Sequence, residues 1–257
     1  MQYFNKSTFI FVKGIKIETK FIKKMRKIKL LLSLAFIATF ALQSCNNTTV
    51  DQPNMYALVT VHESTAGFYG KTDNGEKINA GSTTRIPSYK PKDGQRSIMY
   101  FTPLEEKIDG YLYNADVYQM VDILTKKPVL LTDSQYDTLG TSKIDITKAW
   151  LGEEFLNIEF TVLTDLKTNH ILNLVDNQLT PVVNPNENGY LEFEFKHKTR
   201  VDEDDIYGQS ANGIICFNIS NYDILNSTGV ILKYSSLSEK KDVELIVDKS
   251  EEEEISL

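Results

Sequence analysis

The chain has 257 residues, of which 41% are hydrophobic and 25% charged, which suits one large or two small folded domains and not a disordered chain. Residues 1–44 hold nine of the 28 Lys and Arg but one of the 35 Asp and Glu, so the chain from Cys45 onward carries 19 bases against 34 acids, net −15. Such a field repels phosphate backbones and anionic head groups, which sets nucleic acid aside as a partner.

At the N-terminus, Met25-Arg26-Lys27-Ile28-Lys29 is a basic start followed by thirteen residues, Leu30 to Leu42, interrupted only by Ser33 and Thr39. A membrane-spanning helix needs about 18 or more apolar residues, whereas a basic segment, a short apolar core and small residues before a cut are the parts of a secretory signal. Leu42-Gln43-Ser44-Cys45 resembles the lipobox of bacterial lipoproteins, with Gln43 standing where a small residue is usual. The resemblance implies cleavage before Cys45 and lipidation of its thiol. Two or more acyl chains hold a protein stably at a membrane, because each buried CH₂ contributes about 0.8 kcal/mol. Met25 is the expected start, residues 1–44 are set aside as a signal with a spurious extension, and 45–52 form a polar tether.

From the tether onward the pattern is that of strands. Candidates are Met55 to His62, then Phe68 to Thr72 paired with Glu76 to Asn79 across Asp73-Asn74-Gly75, then Ser97 to Phe101 and Tyr111 to Ile123. The Asp-Asn-Gly turn supplies residues that tolerate positive φ, as tight hairpins require. Lys143 to Trp150 follows. In Phe155 to Val162, Leu156, Ile158, Phe160 and Val162 share one face while Asn157, Glu159 and Thr161 share the other. His170 to Asp176 precedes Tyr190 to Lys198, where Leu191, Phe193 and Phe195 oppose Glu192, Glu194 and Lys196. Ile214 to Ser220, Val230 to Ser235 and Val243 to Val247 complete the set, and Glu251 to Glu254 read as a solubilising tail.

No window sustains a 3.6-residue period, so the fold class is all-β. The polar stretch 128–140 is the expected division, with an OB-like barrel over 53–132, an Ig-like β-sandwich over 133–250 and an acidic tail at 251–257.

Chemistry is sparse. His62, His170 and His197 are far apart in sequence and match no zinc spacing, so no metal or cofactor is expected, and no nucleophile motif points to an enzyme. Cys216, in Ile214-Ile215-Cys216-Phe217, reads as a small buried residue, and with no second thiol after Cys45 no intramolecular disulfide is available to it once Cys45 is lipidated. Trp150 is expected to plug the sandwich core. Asp202-Glu203-Asp204-Asp205 lacks the spacing and glycine of a calcium loop and reads as solvated. Lys90-Pro91-Lys92-Asp93-Gly94 is a turn, with Pro91 presetting φ and Gly94 closing it.

Tyr89 to Arg96 ("YKPKDGQR"), Val117 to Lys126 ("VYQMVDILTK"), Asp145 to Phe160 ("DITKAWLGEEFLNIEF"), His170 to Asn177 ("HILNLVDN") and Tyr190 to Lys198 ("YLEFEFKHK") resemble the NigD-like lipoproteins, in the same order and across nearly the whole mature chain. The resemblance implies an N-terminal OB-type barrel and a C-terminal β-sandwich behind a lipoprotein signal. It brings no catalytic motif, and it attaches a bacteriocin-immunity role to the family as a hypothesis. An OB barrel usually takes ligands on its strand 2–3 face and neighbouring loops, which makes Phe68, Tyr69, Tyr89, Lys90, Lys92 and Tyr100 the candidate binding residues. The expected partners are the membrane, through lipid on Cys45, and a protein of the envelope or a bacteriocin; the alternative is a carbohydrate or small ligand, suited to the 13 tyrosines. Asn46-Asn47-Thr48-Thr49 lacks the acids that resemble a surface-export tag, so the periplasmic side of the outer membrane is the expected address.

Overall fold

The computed structural model describes residues 52–131, 138–165, 169–179, 185–199 and 209–249. The signal, Cys45, most of the tether, the acids at 202–205 and the tail at 251–257 lie outside the described residues. Within them the chain is built from strands, and no helix there is long and apolar enough to cross a membrane.

The first five strands are β1 (Met55–Ser64), β2 (Gly67–Thr72), β3 (Lys77–Ser82), β4 (Arg96–Pro103) and β5 (Tyr113–Asp122), and they close into a barrel in the order β1-β2-β3-β5-β4. Closure depends on β1 pairing on both edges, with Met55 to Thr60 against β4 and Val59 to Ser64 against β2, and on β3 running parallel to β5. This is the OB arrangement. Alternation along β1 sends Met55, Ala57, Val59 and Val61 inward, where they meet Phe68, Ile78, Met99 and Phe101. The β3–β4 connection adds Ile86 and Tyr89 to that core, so side chains of an irregular segment stop one end of the barrel. Gly94, with φ 77°, closes the Lys90–Gly94 turn, and its N–H donates to the Val61 carbonyl.

Nine further strands form the sandwich: β6 (Thr125–Lys126), β7 (Val129–Leu131), β8 (Asp145–Leu151), β9 (Phe155–Leu163), β10 (Ile171–Asn177), β11 (Tyr190–Lys198), β12 (Ser210–Asn218), β13 (Gly229–Ser235) and β14 (Asp242–Asp248). A five-stranded sheet, β14-β13-β11-β10-β7, faces a four-stranded one, β6-β12-β9-β8. Leu156, Ile158, Phe160 and Val162 of β9 meet Leu191, Phe193 and Phe195 of β11 in the core between them, as alternation requires.

The expected boundary at 132/133 needs correction. β6 pairs with β12 and β7 with β10, both in parallel, so residues 125–131 belong to the sandwich. Strands of two and three residues are too short to show a period, and Lys126-Lys127-Pro128 reads as linker. β7 lies at a sheet edge, where a preceding proline removes no ladder hydrogen bond.

Barrel and sandwich meet through a seam that is apolar on one side and ionic on the other. Leu58 and Ile98 of the barrel pack with Ile123, Phe155, Ile214 and Cys216. Beside them Arg96, with no exposed surface, pairs with Asp73 at 2.8 Å and donates to Asn157 Oδ1 at 3.0 Å and Thr60 Oγ1 at 3.1 Å. Asp73, at the tip of the β2–β3 hairpin, also accepts from Trp150 Nε1 and Asn157 Nδ2, each at 3.0 Å. Trp150 therefore belongs to this seam and does not plug the sandwich core, its indole N–H being satisfied by the hairpin-tip carboxylate.

Candidate functional site

Outward positions on the barrel fall into a row that crosses four strands. His62 of β1 is opposite Tyr69 of β2, Tyr69 is opposite Asn79 of β3, and Asn79 is opposite Asn114 of β5. The His62 and Tyr69 rings stack with centroids 5.1 Å apart and planes at 25°. Tyr111, from the β4–β5 connection, stands edge-on to Tyr69 at 5.8 Å and 74°, and Lys77 Nζ lies 5.4 Å from the centre of the Tyr69 ring. Asn79 Nδ2 donates to Asn114 Oδ1 at 3.0 Å. Asn114 sits directly over Gly81, where any Cβ would run into its amide oxygen. Glycine at that position is what lets the amide lie against the strand.

Electrostatics around the row are mixed. His62 Nδ1 is 3.4 Å from Asp93 Oδ1, which ties the Lys90–Gly94 turn to the row's edge, and Lys71 pairs with Glu153 of the sandwich. One step further, Asp116 accepts from Ser82 Oγ at 2.6 Å and Arg85 Nε at 3.1 Å, and the Ser82 hydrogen bond above all holds its carboxyl below the usual range. The adjoining 104–112 connection exposes Leu104, Ile108 and Leu112.

The six sequence candidates do not gather into one place. Tyr69 is central to the row. Lys90 and Lys92 are exposed on the turn that reaches it through Asp93. Tyr100 lies elsewhere on the barrel wall, its ring 5.9 Å from that of Tyr56. Phe68 is 5% exposed and points into the core, since neighbours on a strand face opposite ways, and Tyr89 packs on it at 5.5 Å as part of the stopper. Burial raises the Tyr89 hydroxyl's pKa, with Asp122 adding to the effect. His62, Asn79 and Tyr111 were missed. Parity along β1 and the hairpin turn would have placed His62, Tyr69 and Asn79 on one face, but Tyr111 arrives from a loop and leaves no periodic trace.

Two other groups carry side chains capable of chemistry, the pair His170 and His197 and the thiol of Cys216. The structure brings His170 and His197 together: His197 Nδ1 is 2.9 Å from the Lys143 carbonyl, His170 Nδ1 is 2.9 Å from His197 Nε2, and His170 Nε2 is 3.1 Å from Thr164 Oγ1. Both rings are buried, and burial lowers both pKa values, that of His197 to about 4. Cys216 has no exposed surface and burial pushes its thiol up to about 11, away from the thiolate that reactivity requires. Among the described residues no three His, Cys, Asp or Glu side chains converge as metal ligands.

Residues 58–123 match the NigD-like N-terminal OB domain and residues 127–247 match the NigD-like C-terminal β-sandwich domain. The chain belongs to the NigD-like family. Solved structures share the fold of this NigD-like chain. A protein of unknown function from Bacteroides vulgatus is 23% identical with a TM-score of 0.63, over 76% of this chain and 90% of that one. A toxin-related protein of Parabacteroides distasonis, so described provisionally, is 26% identical at 0.58, over 76% and 93%. A NigD-like immunity protein of Bacteroides caccae is 20% identical at 0.56, over 74% and 91%. No curated protein matches the chain.

Proposed function

We propose that this NigD-like chain is a non-catalytic binding protein held at the bacterial envelope by lipid on Cys45, and that it takes its ligand on the outer wall of the barrel. The observation that carries the reading is the row His62–Tyr69–Asn79, where aromatic rings and a side-chain amide lie in register across three strands, flanked by Tyr111 and the exposed aliphatics of the 104–112 connection. An aromatic cluster beside exposed apolar residues is the composition of a contact surface. The groups most able to do chemistry, the histidine pair and Cys216, are buried and turned to structural use, which supports binding over catalysis.

The names of two similar structures, an immunity protein and a toxin-related protein, favour capture of a bacteriocin as the role. Deleting the gene should then sensitise cells to at least one bacteriocin, with rescue by the intact protein and not by Tyr69→Ala; unchanged killing curves across a panel would remove immunity. Anchoring is tested separately, since mass spectrometry of the mature N-terminus must show a diacylglyceryl-modified Cys45. Tyr69 with the flanking Tyr111 also favours a second reading, a saccharide ligand.

A further inference from the structure

From the chemistry of this row we infer that the outer wall of the barrel binds an uncharged saccharide chain lying across the strands. The inference rests on the proposal that this wall is the ligand surface. Neighbouring strands are about 4.8 Å apart, so the three positions His62, Tyr69 and Asn79 span roughly 10 Å, a path suited to a short oligosaccharide.

The groups along that path match hydroxyl-bearing rings. Asn114 engages the Asn79 amino group, and among the described residues the Asn79 amide oxygen has no partner, which leaves an acceptor fixed in orientation. The Tyr69 and Tyr111 hydroxyls also make no hydrogen bond among the described residues, and each can both donate and accept. Lys77 Nζ, resting over the Tyr69 ring, adds donors. The Tyr69 ring is already stacked on His62 and near Lys77, so the near-perpendicular Tyr111 ring beside it is the surface that suits the C–H face of a pyranose. Sugars present this combination of apolar ring faces and outward hydroxyls.

Charge separates the two polymers that OB barrels commonly bind, oligonucleotides and oligosaccharides. A single-stranded nucleic acid needs a positively charged groove as well as stacking surfaces. Here Lys71 is paired with Glu153 and Arg85 with Asp116, and the chain from Cys45 carries net −15. Lys77, Lys90 and Lys92 lie beside the row, but the acidic balance of the chain outweighs them, which points to a ligand without phosphates.

The mature lipidated chain in detergent, applied to an array of neutral gluco-, manno-, xylo- and N-acetylglucosamine oligosaccharides, should bind at least one class. Titration with the best binder should show a tenfold or greater loss of affinity for Tyr69→Ala and for Asn79→Ala, while Leu225→Ala, on an exposed loop of the sandwich, leaves affinity within twofold. Unchanged melting temperatures establish that the variants fold. Silence across the array, or binding indifferent to both substitutions, would overturn the saccharide assignment, as would preference for a single-stranded oligonucleotide. If a bacteriocin binds instead and Tyr69→Ala abolishes that binding, the saccharide falls and the wall stands as the ligand surface. If Tyr69→Ala affects neither, both fall.

Discussion

Replacing His197 with Gln should remove a specific part of the protein's sensitivity to acid. A carbonyl oxygen only accepts, so His197 Nδ1 must carry the proton that faces Lys143 at 2.9 Å. The neutral ring then has a lone pair on Nε2, which accepts from His170 Nδ1, and His170 Nε2 in turn accepts from the Thr164 hydroxyl. Adding a proton to His197 charges a ring that is 3% exposed, and this burial holds its pKa at about 4 against a usual 6.5, opposed by the Lys143 hydrogen bond and aided by His170. Because the folded value lies below the unfolded one, the unfolded chain binds more protons between these limits. The stabilisation is complete above pH 6.5 and is lost as pH falls towards 4. By pH 4.5 the loss from His197 alone reaches about 2–3 kcal/mol. Urea denaturation of wild type and His197→Gln at pH 7.5 and 4.5 isolates it, because carboxylate titrations are common to both proteins. The variant should lose about 2–3 kcal/mol less than wild type on acidification. A pH loss equal in the two proteins would refute the argument.

Asp73→Ala should destabilise by about 3–5 kcal/mol in chemical denaturation, because it strands the buried Arg96 guanidinium, and Asp73→Ala with Arg96→Met should recover part of the loss. Gly81→Ala should lower the melting temperature through overpacking worth about 1–3 kcal/mol, since the new methyl collides with the Asn114 amide. Cys216 should resist iodoacetamide in native buffer at pH 8 and react on unfolding, with mass spectrometry reporting the adduct.

Long alternating strands were legible in the sequence because their period is set by which face is dry. Tyr190–Lys198 forms β11 with the boundaries its alternation predicts, and Asp73-Asn74-Gly75 makes the β2–β3 hairpin with Gly75 at φ 82°. Pairings between strands distant in the chain leave no such trace. Nothing local in Asn79 and Asn114, or in His170 and His197, announces that they touch. The seam was hidden for a related reason. Arg96 sits in a basic turn sequence that reads as surface, and only the arrival of Asp73 and Asn157 makes its burial tolerable. Phe68 and Tyr89 misled because composition counts aromatic rings without saying which way they point.

The stopper formed by Ile86 and Tyr89 bears on how this domain can diversify. Side chains of the five strands and of this connection pack together inside the barrel, so the groups free to meet a partner are those on its skin. Outward groups that pack on no core neighbour can be exchanged at small cost in stability while the strands beneath keep their shape.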